Sequence, residues 1–219
     1  MKMRIARRLS SFLLTYSCVA FAQSVPPEKA AVPVATNIHQ IFLDDQADRT
    51  SDNYVPGTNE RDAARRKQVR ALLAAGQIKS AQDFHDAAYV FQHGTTPDDY
   101  LLAHILAVEA VVKGDDTSKW ISAATLDRYL QEIGRGQVFG TQYSDKSYFA
   151  MKRLEANPAE QKKVPQEKGM TQEPYDRTLV PDALRNSFCV PNLAQQTLNL
   201  KEFEAGKYPD GIIPPGCTR

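Results

Sequence analysis

Four glycines frame this chain. Gly76, Gly94, Gly114 and Gly134 each follow a run whose apolar residues recur at helical spacing, the place where glycine ends helices. Start signals answer them. Asn59-Glu60-Arg61-Asp62, Ser80-Ala81-Gln82-Asp83 and Thr96-Pro97-Asp98-Asp99 each set a capping side chain three residues before an acid, a weaker form of the box that ordinarily uses Glu or Gln. Pro97 falls at the first helical position, where its missing N–H costs nothing. From about Asn37 to Gly134 these signals predict five helices.

The helix faces follow from spacing. Ala81, Phe84, Ala88 and Phe91 lie on one side of the segment from Ala81 to His93. Tyr100 to Val112 is apolar nearly all round, which predicts a helix at the centre of a bundle. Trp120, Ile121, Ala124, Leu126, Leu130 and Ile133 give the next helix a broad apolar side. Short connections at 94–96 and 114–117 predict antiparallel neighbours. Small residues at Ala103, Ala107, Ala123 and Ala124 make the rhythm similar to tetratricopeptide or Sel1-type hairpins, although no repeat of fixed period is present. The predicted fold is all-α: a compact bundle of about five antiparallel helices over residues 36–143. A Pro-rich, irregular C-terminal region, 144–219, wraps it.

That region holds eight of the 13 prolines. Short helices are predicted near Asp182–Asn186 and Leu193–Glu204, with 152–175 either wrapping the bundle or extending from it without order. At the other end, Lys2, Arg4, Arg7 and Arg8 precede a short apolar stretch and Ala20-Phe21-Ala22, the pattern of a secretory signal cleaved after Ala22. Thr15-Tyr16-Ser17 before Cys18 departs from a lipoprotein box. Residues 23–35 read as a flexible leader. Cleavage predicts a periplasmic or secreted protein with 23 basic and 26 acidic residues and a formal charge of −3. That balance argues against a general nucleic-acid partner. No apolar run reaches the ~18 residues of a membrane span, so no transmembrane segment is expected after cleavage. Cys189 and Cys217 then remain, either bridged or as two separate thiols; a bridge would stabilise by roughly 3–4 kcal/mol.

Polar residues on apolar faces mark the candidate site. Ile38, Ile41, Phe42, Asp45 and Arg49 share one helix face, so the carboxylate and guanidinium must be paired where the apolar residues bury. Gln46 lies on the adjacent edge. Gln92 and His93 end the third helix, where His93 reads as a C-terminal cap residue favoured by the helix dipole. His85, His93 and His104 fall within 20 residues, but no pair has i, i+4 spacing and no HExxH or CxxC occurs. No metal or cofactor is expected, and His104 reads as a core histidine bonded to a carbonyl. Asp127 and Arg128 precede Gly136-Gln137-Val138-Phe139-Gly140-Thr141-Gln142-Tyr143, an ordered loop that either plugs the bundle through Gln137 and Gln142 or receives a ligand.

The ordered set Asp45-Gln46-x-x-Arg49, Gln92-His93, Leu126-Asp127-Arg128 and Gln137-x-x-Gly140-Thr141-Gln142 resembles a bacterial family of domains of unknown function. The likeness spans residues 38–143 and extends to Val180-Pro181-Asp182-x-Leu184-Arg185. It implies landmarks rather than an activity. The resulting expectation is a non-enzymatic exported module whose polar cluster fixes the bundle or receives a small ligand or a protein. Its rivals are a hydrolase using His93 as base with Asp45 and Arg128, Thr141 being the only motif hydroxyl, and a peptide-binding helical groove with an exposed apolar concavity.

Overall fold

The computed structural model describes residues 37–49, 55–147 and 168–217. The expected signal, the leader and residues 152–167 lie outside them. The fold is all-α. Five helices come first: α1 (Ile38–Ala47), α2 (Thr58–Ala74), α3 (Ala81–Phe91), α4 (Pro97–Val112) and α5 (Ser118–Glu132). Two more, α6 (Asp182–Ser187) and α7 (Leu193–Glu204), fall where the C-terminal helices were predicted, and a 3-10 turn covers Asp210–Ile212. Strands β1 (Ser144–Asp145) and β2 (Met170–Thr171) pair antiparallel.

Two of the three start signals act as read. Ser80 and Asp83 form a reciprocal capping box on α3, and Thr96 Oγ1 accepts the Asp99 N–H at the head of α4. The third does not. α2 starts two residues earlier, with Gly57 as its cap at φ +80°, and Asn59 lies inside the helix. Asp62, the presumed capping acid, is instead buried between two arginines. Among the stop glycines, Gly94 differs as well: its φ is not positive, and the position needs glycine because a Cβ would collide with the Asp99 side chain.

The central helix is α3, not α4. Every residue from His85 to Phe91 is buried, and α3 packs on α1, α2, α4 and α5. α4 buries Ala103, Leu106, Ala107 and Ala110 but leaves Ile105 54% and Val112 74% exposed. Hydropathy misassigned the two because α3 carries polar residues whose partners come from elsewhere. Asp86 accepts from Gln82 and bonds His39, and His85 bonds Ser118. Satisfied this way, a polar side chain can sit at the centre.

A second core joins α5 to the C-terminal region. Ala123, Val138, Phe139, Val180 and Val190 are buried together, with Trp120, Leu126, Leu130 and Phe188 packed against them. Arg185 on α6 is fully buried and donates to the carbonyls of Phe139, Val138 and Arg177, to the Tyr175 hydroxyl and to Asp182. Gln137 pairs with the 174–176 backbone through two hydrogen bonds of 2.9 Å. Cys189 and Cys217 are bonded, with Cα atoms 5.6 Å apart.

The second core makes a strong demand at Gly140. Its φ is +84°, and a Cβ there would run into Gln196 Oε1 and the Tyr175 hydroxyl, whereas Gly76, at φ +65°, faces open space. Gly76→Ala should therefore cost about 1–2 kcal/mol of backbone strain. Gly140→Ala adds overpacking and should cost about 3 kcal/mol or more. Urea unfolding of both variants checks this; equal losses would mean that the loop is not packed as described.

Candidate functional site

Arg49, just past the end of α1, roots the site. Its Nη1 donates to Asp45 Oδ1 at 3.0 Å and to the Asp45 carbonyl at 2.7 Å, closing the turn below it. Nη2 donates to Asp62 Oδ2 on α2 at 2.7 Å, and Nε donates to His93 Nδ1 beyond α3 at 2.9 Å. The network continues through α2. Arg65 donates to Asp62 Oδ1 at 3.0 Å and to Asp48 Oδ2 at 2.6 Å, and Arg66 donates to the His93 carbonyl at 2.8 Å. Asp45, whose residue is wholly buried, receives a further bond from Gln46 at 2.8 Å.

These partners decide protonation. A guanidinium only donates, so His93 Nδ1 holds a lone pair and the ring proton sits on Nε2. That nitrogen is sealed without a hydrogen-bond partner, 3.7 Å from Asp45 Oδ2. Burial first, and then the charges of Arg49, Arg128, Arg66 and Arg65, pull the His93 pKa down to about 2. The dipole-favoured cap read from the sequence is thus not His93: the C-cap of α3 is Gln92, and His93 is a neutral ring beyond it. Burial pushes the Asp45 carboxyl up to about 7 against the opposing pull of Arg49.

Asp127 organises the loop after α5. Oδ1 accepts the N–H groups of Val138 and Phe139 at 2.8 and 3.0 Å, and Oδ2 accepts the N–H and hydroxyl of Thr141 at 2.9 and 2.8 Å. Burial raises its pKa, while these donors favour the carboxylate. Gln137 braces the same loop: its Oε1 accepts from Gln142 N, and its Nε2 donates to the carbonyls of Gln142 and Gln172. Gln142 in turn donates to Thr141 Oγ1 and to the Ala124 carbonyl on α5.

The loop and the helices enclose an open cleft of about 540 Å3, within the size range of small-molecule sites. Of the residues singled out in the sequence, Gln46, Arg49, His85, Gln92, His93, Arg128, Thr141 and Gln142 line it. Asp45, Asp127 and Gln137 stand behind and hold the lining in place. The cleft also has aromatic walls: the sequence placed Phe42 on the Asp45–Arg49 face, Tyr143 in the ordered loop and Trp120 on an apolar helix side, but missed Tyr89, Phe203 and Tyr208. Sequence reasoning also missed Asp62, Arg65 and Arg66, which Arg61-Asp62-x-x-Arg65-Arg66 announces only as i, i+3 charge pairing on a hydrophilic helix. Phe203, Tyr208 and Ile212 all lie in the segment closed by the Cys189–Cys217 bond.

The histidines are dispersed. His85 Nδ1 meets Ser118 and Asp115, His104 Nδ1 meets the Ser122 carbonyl, and His93 meets Arg49. Among the described residues no group of three side chains is arranged to hold a metal ion, and no helix is long and apolar enough to cross a membrane. In comparisons with known proteins, no family, no curated protein and no solved structure matches the chain.

The two displaced titrations work in opposite directions. Neutral His93 contributes stability fully above its ordinary value of 6.5, and the contribution is lost on acidification toward 2. Asp45, raised from 3.8 to about 7, contributes at acid pH and loses that contribution as pH rises through 7. An Asp45→Asn variant cannot ionise at this position. From pH 6 to pH 8 its unfolding free energy should therefore gain on the parent by about 1 kcal/mol. Urea titrations at pH 6, 7 and 8 measure the difference; a gap independent of pH would place an ionised Asp45 in the folded state throughout.

Proposed function

We propose that this chain is an exported binding protein whose cleft takes a small organic anion. One observation carries the reading: two arginines and no carboxylate line the cleft, in a chain whose sequence is nearly balanced in charge. Arg49 and Arg128 can only donate to a ligand, and of the two Arg49 is also paired with Asp45 and Asp62. Aromatic walls supply the apolar contact a ligand body needs. The Cys189–Cys217 bond supports passage through an oxidising compartment, in keeping with the secretory signal read from residues 1–22.

Catalysis through His93 is the weaker reading. Its Nδ1 lone pair is spent on Arg49, its Nε2 is sealed, and a pKa near 2 makes it a poor base at neutral pH. The Thr141 hydroxyl donates to Asp127, so the motif hydroxyl serves the loop.

Thermal-shift screening of the processed protein against small carboxylates, neutral sugars, peptidoglycan fragments and divalent metals tests the binding reading. A carboxylate at a hundred times its Kd should raise Tm by about 5–10 °C, and Arg128→Gln should lose most of that shift. Stabilisation by neutral compounds or metals but by no carboxylate would refute it. N-terminal sequencing of the protein from a bacterial periplasm should begin at Gln23.

A further inference from the structure

The cleft has direction. Phe42, Gln46 and Arg49 follow one another along α1 and its end, while His85, Tyr89 and His93 follow along α3 and its end. The two series run side by side, because the Phe42 and His85 rings are 6.0 Å apart at one end and Arg49 bonds His93 at the other. α5 keeps the same order, with Ser118 at its start on His85 and Arg128, ten residues further along the helix, lining the cleft. Eight residues of helical rise separate the ends by about 12 Å.

The ends also differ in hydrogen-bonding sense. Ser118 spends its hydroxyl hydrogen on Asp115 Oδ2 at 2.7 Å. Ser118 Oγ, at 2.8 Å, and Asp115 Oδ2, at 3.0 Å, can therefore only accept from His85 Nδ1. A neutral His85 ring therefore carries its proton on Nδ1 and its lone pair on Nε2. His85 thus has the opposite tautomer to His93. Unlike His93 Nε2, His85 Nε2 is not among the sealed, unpartnered polar atoms of the described residues, and the ring lines the cleft. One end consequently offers an acceptor framed by Phe42 and Tyr89, whose rings lie 6.0 and 4.7 Å from that of His85. The other end offers the Arg128 guanidinium.

The geometry points to a ligand of defined polarity: an elongated ring compound with a hydroxyl that donates to His85 Nε2 and a carboxylate that pairs with Arg128. This rests on the anion reading and adds the hydroxyl, the ring and the orientation. Phenolic acids and uronic-acid disaccharides share this chemistry, a hydroxylated ring with a distant carboxylate. Asp115 is a positioning residue, since it fixes the His85 tautomer without lining the cleft.

Calorimetric titration of the processed protein, expressed with its leader, tests this. In the phenolic arm the probes are 4-hydroxycinnamate, 4-methoxycinnamate, cinnamate and the neutral 4-vinylphenol. In the sugar arm they are a glucuronate-terminated disaccharide, its analogue deoxygenated at the hydroxyl farthest from the carboxylate, and its neutral counterpart. In one arm, the hydroxylated acid should bind at least tenfold more tightly than each analogue lacking the hydroxyl or the carboxylate; the arm in which this occurs identifies the source. Asp115→Asn can donate to Nδ1 and so moves the ring proton to Nε2, and His85→Phe removes the acceptor. Either variant should erase the tenfold preference for the hydroxyl. If either variant fails to fold, the parent series decides alone. Equal binding of cinnamate and 4-hydroxycinnamate, with no preference in the sugar arm, would overturn the hydroxyl–His85 contact and leave the anion reading standing. Loss of the carboxylate requirement would overturn both.

Discussion

Three helices of this protein meet at the guanidinium of Arg49. It reaches Asp45 on α1, Asp62 on α2 and His93 after α3, so a single side chain holds the mutual placement of the elements that make the cleft floor. Such a group cannot be left half-satisfied: removing one partner of a buried ion pair ordinarily costs about 3–5 kcal/mol because the other charge is stranded. The cluster therefore specifies one arrangement of the helix ends. α2, strongly hydrophilic in sequence, is bound into the bundle by these ionic contacts and by Val69, Leu72 and Leu73 packed on the core.

The opposite wall obeys the same logic with different chemistry. Asp127 gathers backbone donors of the loop 138–141, and the buried Arg185 gathers backbone acceptors, among them the Phe139 carbonyl. One anion and one cation thus shape the same short loop from its two sides. The loop carries Thr141, Gln142 and Tyr143 into the cleft, and Tyr143 packs on Phe203 at 5.0 Å. The C-terminal half is in this way a structural part of the cleft as well as of the second core.

Much of this was legible in the sequence. Capping chemistry and glycine stops are local, so five helices, the Ser80 and Thr96 caps and the positions of α6 and α7 could be read directly. Asp45 with Arg49 was legible because two opposite charges on an apolar face must pair. What was not legible required knowledge of distant partners. Nothing near His85 or Asp86 says that Ser118 and His39 will satisfy them, so α3 looked less central than the apolar α4. Nothing near Asp62 distinguishes a capping acid from one buried under Arg49. The convergence of the aromatic walls escaped for the same reason, since Trp120 and Phe203 lie 83 residues apart and meet only across the cleft.

The protonation of His93 condenses these relations into one observable. Nitrogen-15 NMR of the imidazole reports each ring nitrogen separately. A histidine that accepts from Arg49 should show Nδ1 unprotonated and Nε2 protonated, unchanged from pH 8 down to about pH 4, and should lose that signature in Arg49→Met. A His93 that becomes an imidazolium near its ordinary pKa of 6.5, or that carries its neutral proton on Nδ1, would contradict the Arg49 junction and the cleft built on it.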